Sequence, residues 1–221
     1  MNQVSTIDTN NFSAMAQAMG MNADAPKQSA KASTLARLRI HHSPIMGQQE
    51  INGKMKNVEV VSGGTYKLEI PDGPTYYAES VSIRPYLQRF MHKKFVMGND
   101  SRPNRYVKTV MANDLNGDMK DNDGGFNCGK PAGFIQDWAA LPDNMKDLIR
   151  SIKRVRALFG VVEMVNPTDD QGNSVDVEST PFIWEIDNRD AFKTVGEVFT
   201  KLSKMRRLPP QHYVSMTTTE V

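Results

Sequence analysis

Apolar and polar side chains alternate from Tyr76 to Ile83. Tyr77, Glu79, Val81 and Ile83 fall on one face, and Tyr76, Ala78, Ser80 and Ser82 on the other. A period of two predicts a strand. Pro85 interrupts it, and Tyr86 to Val96 reads equally well as more strand or as a short helix. Upstream, Asn57–Val61 and Tyr66–Ile70 flank Ser62, Gly63 and Gly64, which predicts a hairpin. "NRYVKTVMAN" is a further β-rich run. The period then becomes helical. Met145, Leu148, Ile149 and Ile152 recur at helix spacing behind an entry at Pro142 or Asp143. At Arg154 the period returns to two, with Val155, Ala157, Phe159 and Val161 on one face and Arg154, Arg156 and Leu158 on the other. A polar turn, "NPTDDQGN", leads to a strand, "STPFIWEID", and then to a helix, "DAFKTVGEVFTKLSKMRR". That helix places Phe192, Val195, Val198 (or Phe199) and Leu202 inward.

The flanks read differently. Residues 1–30 are rich in Asn, Ala, Met, Ser and Gln and predict a flexible arm with a short helix at Asn11–Met19. Residues 31–208 form the domain, and 209–221 an irregular tail. Asn113 to Phe134 is a Gly/Asp/Asn-rich loop, too long for a plain connection. Short strands with flanking helices and a long loop predict a β-rich α+β fold, with an OB-like, five-stranded, partly open barrel as one solution. An antiparallel sandwich is the competitor.

Composition narrows the class. The chain has 221 residues, 39% hydrophobic and 24% charged, enough for one core. No run of 18 apolar residues suggests a membrane span, and the first twenty residues lack the pattern of a secretory signal. Cys128 stands alone, which excludes an internal disulfide and fits a reducing compartment. The net charge of +2 hides segregation: residues 148–165 carry four Lys/Arg against one Asp/Glu, and residues 166–190 one against seven. A basic block is the electrostatic signature of a phosphate partner, provided folding does not mix the blocks back together.

Most chemical motifs fail on spacing. Asp114, Asn116 and Asp118 alternate like calcium ligands, but Met119 stands where an EF-hand needs Gly, and Gly125 where it needs Glu. "GGFNCGKPAG" lacks the phosphate-loop frame, and Pro131 removes a backbone donor. Its glycines and Phe126 and Phe134 leave open a loop that closes over a partner. His41, His42, His92, His212 and Cys128 show no zinc spacing. Glu185 and Asp187 share one face of a strand, as nuclease carboxylates or as an ordinary solvent face would. No cofactor and no enzyme activity are expected.

Basic residues interleaved with rings make the stronger pattern. Single-strand binding without sequence choice needs cations for phosphates and π surfaces for unstacked bases. The expected nucleic-acid-binding set is Tyr76, Tyr77, Arg84, Tyr86, Arg89, Lys93, Lys94, Arg105, Tyr106, Lys108, Lys153, Arg154, Arg156 and Trp184. On a strand, Arg154 and Arg156 share a face about 7 Å apart. On a helix the same charges would spread and mean little. Phe90, Phe95 and Phe159 fit a core better than a base platform.

The stretch "RVRALFGVVEMVNPTDDQGNSVDVESTPFIWEIDNRDAFKTVGEVF" resembles the later half of the OB-fold in single-stranded DNA-binding proteins of tailed phages. "NRYVKTVMANDLNGD" with "GGFNCGKPAGF" is similar to phage replication-gene products. The likeness runs from about Arg105 to Arg207 and is one of layout. Unlike the zinc-bearing members, the chain has no Cys/His cluster, and it ends "SMTTTEV" instead of in an acidic tail. "KQSAKAST" offers only a thin version of their N-terminal basic patch. The resemblance implies a DNA-coating protein of phage replication or recombination in the host cytoplasm. Its partners would be single-stranded DNA and phage replication proteins, with oligomerisation open. A virion structural or assembly protein is the alternative, and a metal-dependent nuclease a distant third.

Overall fold

The structure, a computed structural model, describes residues 35–101, 103–116, 119–121 and 124–218. The predicted arm and its helix at Asn11–Met19 lie outside the described residues. The fold is β-rich α+β. In chain order the strands are β1 Ala36–His41, β2 Ile45–Ile51, β3 Lys54–Val61, β4 Thr65–Glu69, β5 Thr75–Ala78, β6 Ser80–Val96, β7 Arg105–Lys108, β8 Lys153–Val165, β9 Thr180–Ile186 and β10 Val214–Thr217. Two α-helices, α1 Asp143–Arg150 and α2 Arg189–Lys204, are described with them.

Eight strands form one sheet in the order β10-β6-β8-β9-β1-β4-β5, with β7 also on β6. β5 runs into β6 through the single bend residue Glu79, so the last strand of that path is one piece of chain with the second and the sheet must curl. Neighbouring strands are antiparallel, except that β1 and β9 meet in parallel, and β10 returns from the end of the chain to lie beside β6. The concave side holds the core: Leu38, Tyr66, Leu68, Val81, Ile83, Leu158, Val162, Phe182, Trp184 and Ile186, closed by Val195 of α2. Asn188 caps α2 by accepting the backbone N–H groups of Asp190 and Ala191.

β6 is the spine. It spans 17 residues and pairs with β8 along its whole length. Pro85 stands opposite Gly160 and Leu87 opposite Phe159, so Tyr86 is the extra residue of a bulge. A Cβ at Gly160 would collide with the Arg84 carbonyl oxygen, which explains glycine at the crossing. Proline is tolerated here because this stretch of β6 lies between its two edge partners: β10 takes residues 80–83 and β7 takes residues 93–96.

Four expectations change. The hairpin across Ser62-Gly63-Gly64 does not form, since β3 pairs with β2 and β4 with β1. The stronger turn is Asn52-Gly53, both at positive φ (55° and 74°), which suits the primed turn a right-twisted hairpin needs. β2–β3 is therefore an inserted ribbon, most of it exposed. The 209–221 tail is not irregular throughout, because Val214–Thr217 alternates and completes the edge of β6 as β10. Tyr77 does not share a face with Val81 and Ile83. It opposes Lys67, and the bend at Glu79 shifts the phase. The Asn113–Phe134 loop is organised where described: the Asp121 carboxylate accepts the N–H groups of Gly125 and Asn127 and the Asn127 amide. Phe126 reaches outward, whereas Phe134 sits edge-on to His92 at 6.4 Å.

Candidate nucleic-acid interface

The stretch from Lys153 to Val165 is strand, so Arg154 and Arg156 do share a face. The pairing decides which face. Opposed residues of an antiparallel pair point the same way. Arg156 opposes Phe90 and Ile186, and Arg154 opposes His92, so both arginines lie on the concave side with Leu158 and Trp184. Lys153 opposes Lys93, which opposes Lys108 across β7. These three lysines form one row on the convex side.

That row is partly neutralised. Lys93 and Lys153 both reach Asp187, at 2.8 and 3.3 Å, and Lys108 meets both oxygens of Glu185 at 2.7 Å. Burial works against ionising Asp187, but the hydrogen bond from Lys93 and the charges of both lysines outweigh it and hold the carboxyl below its usual value. The two carboxylates are thus engaged by lysines rather than gathered for a metal.

Further along β6 the convex side carries Phe95 and Tyr106, opposed across β6–β7 with rings 5.2 Å apart and 44% and 54% exposed. Lys93 lies 5.0 Å from the Tyr106 ring. At the other end, Arg84 donates to the Pro210 carbonyl at 2.6 Å and stands 5.8 Å from Tyr86 and 5.9 Å from the exposed Tyr213. Arg89 lies between, donating to the Gln88 carbonyl. Arg84, Tyr86, Arg89, Lys93 and Phe95 therefore follow one strand over about 36 Å, at about 3.3 Å per residue.

The remaining members of the expected set lie elsewhere. Trp184 and Tyr77 are buried, at 5% exposure each, so neither offers a ring to a base. Trp184 packs edge-on to Tyr66 in the core, and Tyr77 against His41 beside Thr168. Tyr76 packs against the same core. Lys94 and Arg105 oppose Val107 and Val96, which puts them on the concave side of that pair, away from Tyr106. Lys94 lies near the buried Cys128, whose thiol is pushed up mainly by burial. Arg154 is exposed beside Phe192, at 5.8 Å.

Arg156 is the exception among the cations. It is 8% exposed, and burial lowers its pKa. One guanidinium N–H donates to the Gln88 side-chain oxygen at 2.6 Å, and Nε makes no hydrogen bond among the described residues. Phe90 and Phe192 flank it at 5.0 and 4.6 Å. Phe95 and Tyr213 were missed in the expected set. The signal for Phe95 was its period-two phase with Lys93, and the signal for Tyr213 was its place immediately before a strand hidden in the tail.

No protein-family model matches the sequence, and comparisons with curated proteins and with solved structures found no match either.

Proposed function

We propose that this protein binds single-stranded DNA without sequence choice along the convex track of β6, as an accessory of phage replication or recombination in the host cytoplasm. The observation that supports it is the run of Arg84, Arg89 and Lys93 along β6 together with the exposed rings of Phe95 on β6, Tyr106 on β7 and Tyr213 just before β10, and the half-buried ring of Tyr86. A stacked base contributes about 1–3 kcal/mol, and the track length suits site sizes of roughly 4–16 nucleotides. The ion pairs of Lys108 and Lys153 are exchangeable, since these more exposed lysines trade a carboxylate for a phosphate at small cost, whereas Lys93 is largely buried against Asp187. The phage and replication setting rests on the resemblance of layout alone. The OB-type assignment belongs to the same proposal. The curled sheet supports it, and the strand order departs from chain order where β10 returns beside β6 and β9 beside β1.

Fluorescence anisotropy with labelled oligo-dT, duplex DNA and RNA at two salt concentrations tests the reading. Oligo-dT should bind best, and Lys93→Ala with Lys153→Ala should flatten the log–log salt slope by about 1.4, at about 0.7 per lost phosphate contact. An unchanged slope and affinity would remove the track from the interface.

The virion-assembly reading has its own support in the β2–β3 ribbon, which is largely exposed with Met46 and Met55 on its surface. An isolated two-stranded ribbon is marginally stable in water and gains from a partner. Size-exclusion chromatography without DNA separates the two, since a virion subunit should assemble to a fixed larger species.

A further inference from the structure

Burying a guanidinium costs several kcal/mol unless an opposite charge or a full set of hydrogen bonds compensates. Arg156 has five N–H donors, and the described residues supply it with one amide acceptor and two ring faces. None of the described ion pairs includes it. The site is shaped for it: a Cβ at Gly196 of α2 would stand 2.5 Å from Nη2, so α2 crosses directly over the charge.

A cleft of about 400 Å³ opens beside Arg156, lined also by Gln88, Phe90, Phe199, Thr200, Ser203 and Lys204. A second, of about 290 Å³, shares Gln88 and Phe199 with it and adds Tyr86, Arg89 and Pro210. Both lie by the stretch of β6 between the β10 and β7 pairings. The carbonyl end of α2 would repel an anion, but Lys201 and Lys204 in its last turn offset that field. The trough the two clefts form together has a buried cation, an ammonium and two hydroxyls in the first, the ring of Phe199 in both, and that of Tyr86 in the second.

We propose that this trough binds one nucleotide unit, its phosphate received by Arg156 and Lys204 and its base lodged toward Phe199 and Tyr86. The trough shares Tyr86 and Arg89 with the β6 track but contains none of Lys93, Lys108 and Lys153, so it does not depend on the convex lysine row. The phosphate comes either from a free mononucleotide or from the end of a strand.

Thermal melts of the full chain at matched ionic strength, with chloride, inorganic phosphate, thymidine or thymidine monophosphate, test the proposal. Thymidine monophosphate should raise Tm saturably, phosphate less so, and thymidine hardly at all. Arg156→Met, which keeps an unbranched stem between Phe90 and Phe192, should abolish the response, whereas Lys153→Ala should keep it. Lys204→Ala, on an exposed position, should weaken the ligand about tenfold, the size of one charge-assisted hydrogen bond. It carries the test should Arg156→Met fail to fold. No shift beyond chloride, or an unaltered response in both variants, overturns the proposal. Oligo-dT with and without a 5′-phosphate distinguishes strand end from free nucleotide: a preference for the phosphorylated strand assigns the strand end, and equal binding assigns the free nucleotide. Loss of the nucleotide response with oligo-dT binding intact indicts the trough alone. Failure of the convex track shows instead as Lys93→Ala/Lys153→Ala leaving oligo-dT binding unchanged.

Discussion

Two cationic regions lie on opposite faces of the β6–β8 pair, and they solve the problem of charge differently. On the convex face Lys93, Lys108 and Lys153 each have a carboxylate, from Asp187 or Glu185, and remain at least partly in solvent. On the concave face Arg156 is closed in and has an amide and two phenyl rings in place of a carboxylate. The first arrangement is cheap to hold and cheap to exchange, which suits a polyanion bound by many weak contacts. The second is costly to hold and is steadied by packing, which suits one anion bound at one place. Neighbouring positions along β8 thus carry charges held in different ways.

Substitutions at the buried and exposed rings break this comparison most sharply. Trp184→Ala should cost about 3–5 kcal/mol of stability, read by denaturant unfolding, because the indole fills the core. The folded fraction should still bind oligo-dT normally, and a selective loss of binding would return Trp184 to the interface. Gln88→Leu leaves Arg156 without its one hydrogen bond and should cost about 1–3 kcal/mol. A neutral result would mean that the rings alone hold the guanidinium. Tyr106→Ala should do the reverse of Trp184→Ala. Its melting curve should barely move, while oligo-dT affinity falls by about 1–3 kcal/mol if a base stacks there.

The smallest effect concerns Asp187. Its carboxyl is held below the usual 3.8 in the folded chain. The stability it contributes is therefore complete above that value and is lost as pH falls through the lowered one. The carboxylate is partly exposed, so the contribution should be about 1 kcal/mol or less. Melting curves between about pH 2 and pH 5 should fall less steeply for Asp187→Asn than for the parent chain. The same variant frees two lysines and should tighten oligo-dT binding at low salt. Weaker binding would show that Asp187 positions Lys93 and Lys153 rather than competing for them.

Much of the fold was legible. The alternation from Lys153 to Val165 placed Val155, Ala157 and Phe159 opposite Arg154, Arg156 and Leu158, and the strand has that phase. The start of α1 was expected at Pro142 or Asp143, and the helix runs from Asp143 behind Pro142; the inward Val195 of α2 followed from helical spacing. Register was harder. Asn52-Gly53 was passed over for Ser62-Gly63-Gly64, although only the former sets up the primed turn between paired strands. Glu79 and Tyr86 each shift a strand by one residue, and such a shift reverses every side chain beyond it without changing the alternation.

What the amino-acid order determined by itself was local: which segments extend, which coil, and which positions alternate together. It also set the supply of cations and rings along β6 and β8. Only the tertiary structure decided which side of the sheet each one reached, that Trp184 and Tyr77 went inside, and that carboxylates from β9 and just beyond it met the convex lysines. The physical reason is that alternation fixes the relative phase within one strand. The absolute face and the ionic partners depend on bulges and on pairings between residues as far apart as Lys108 and Glu185.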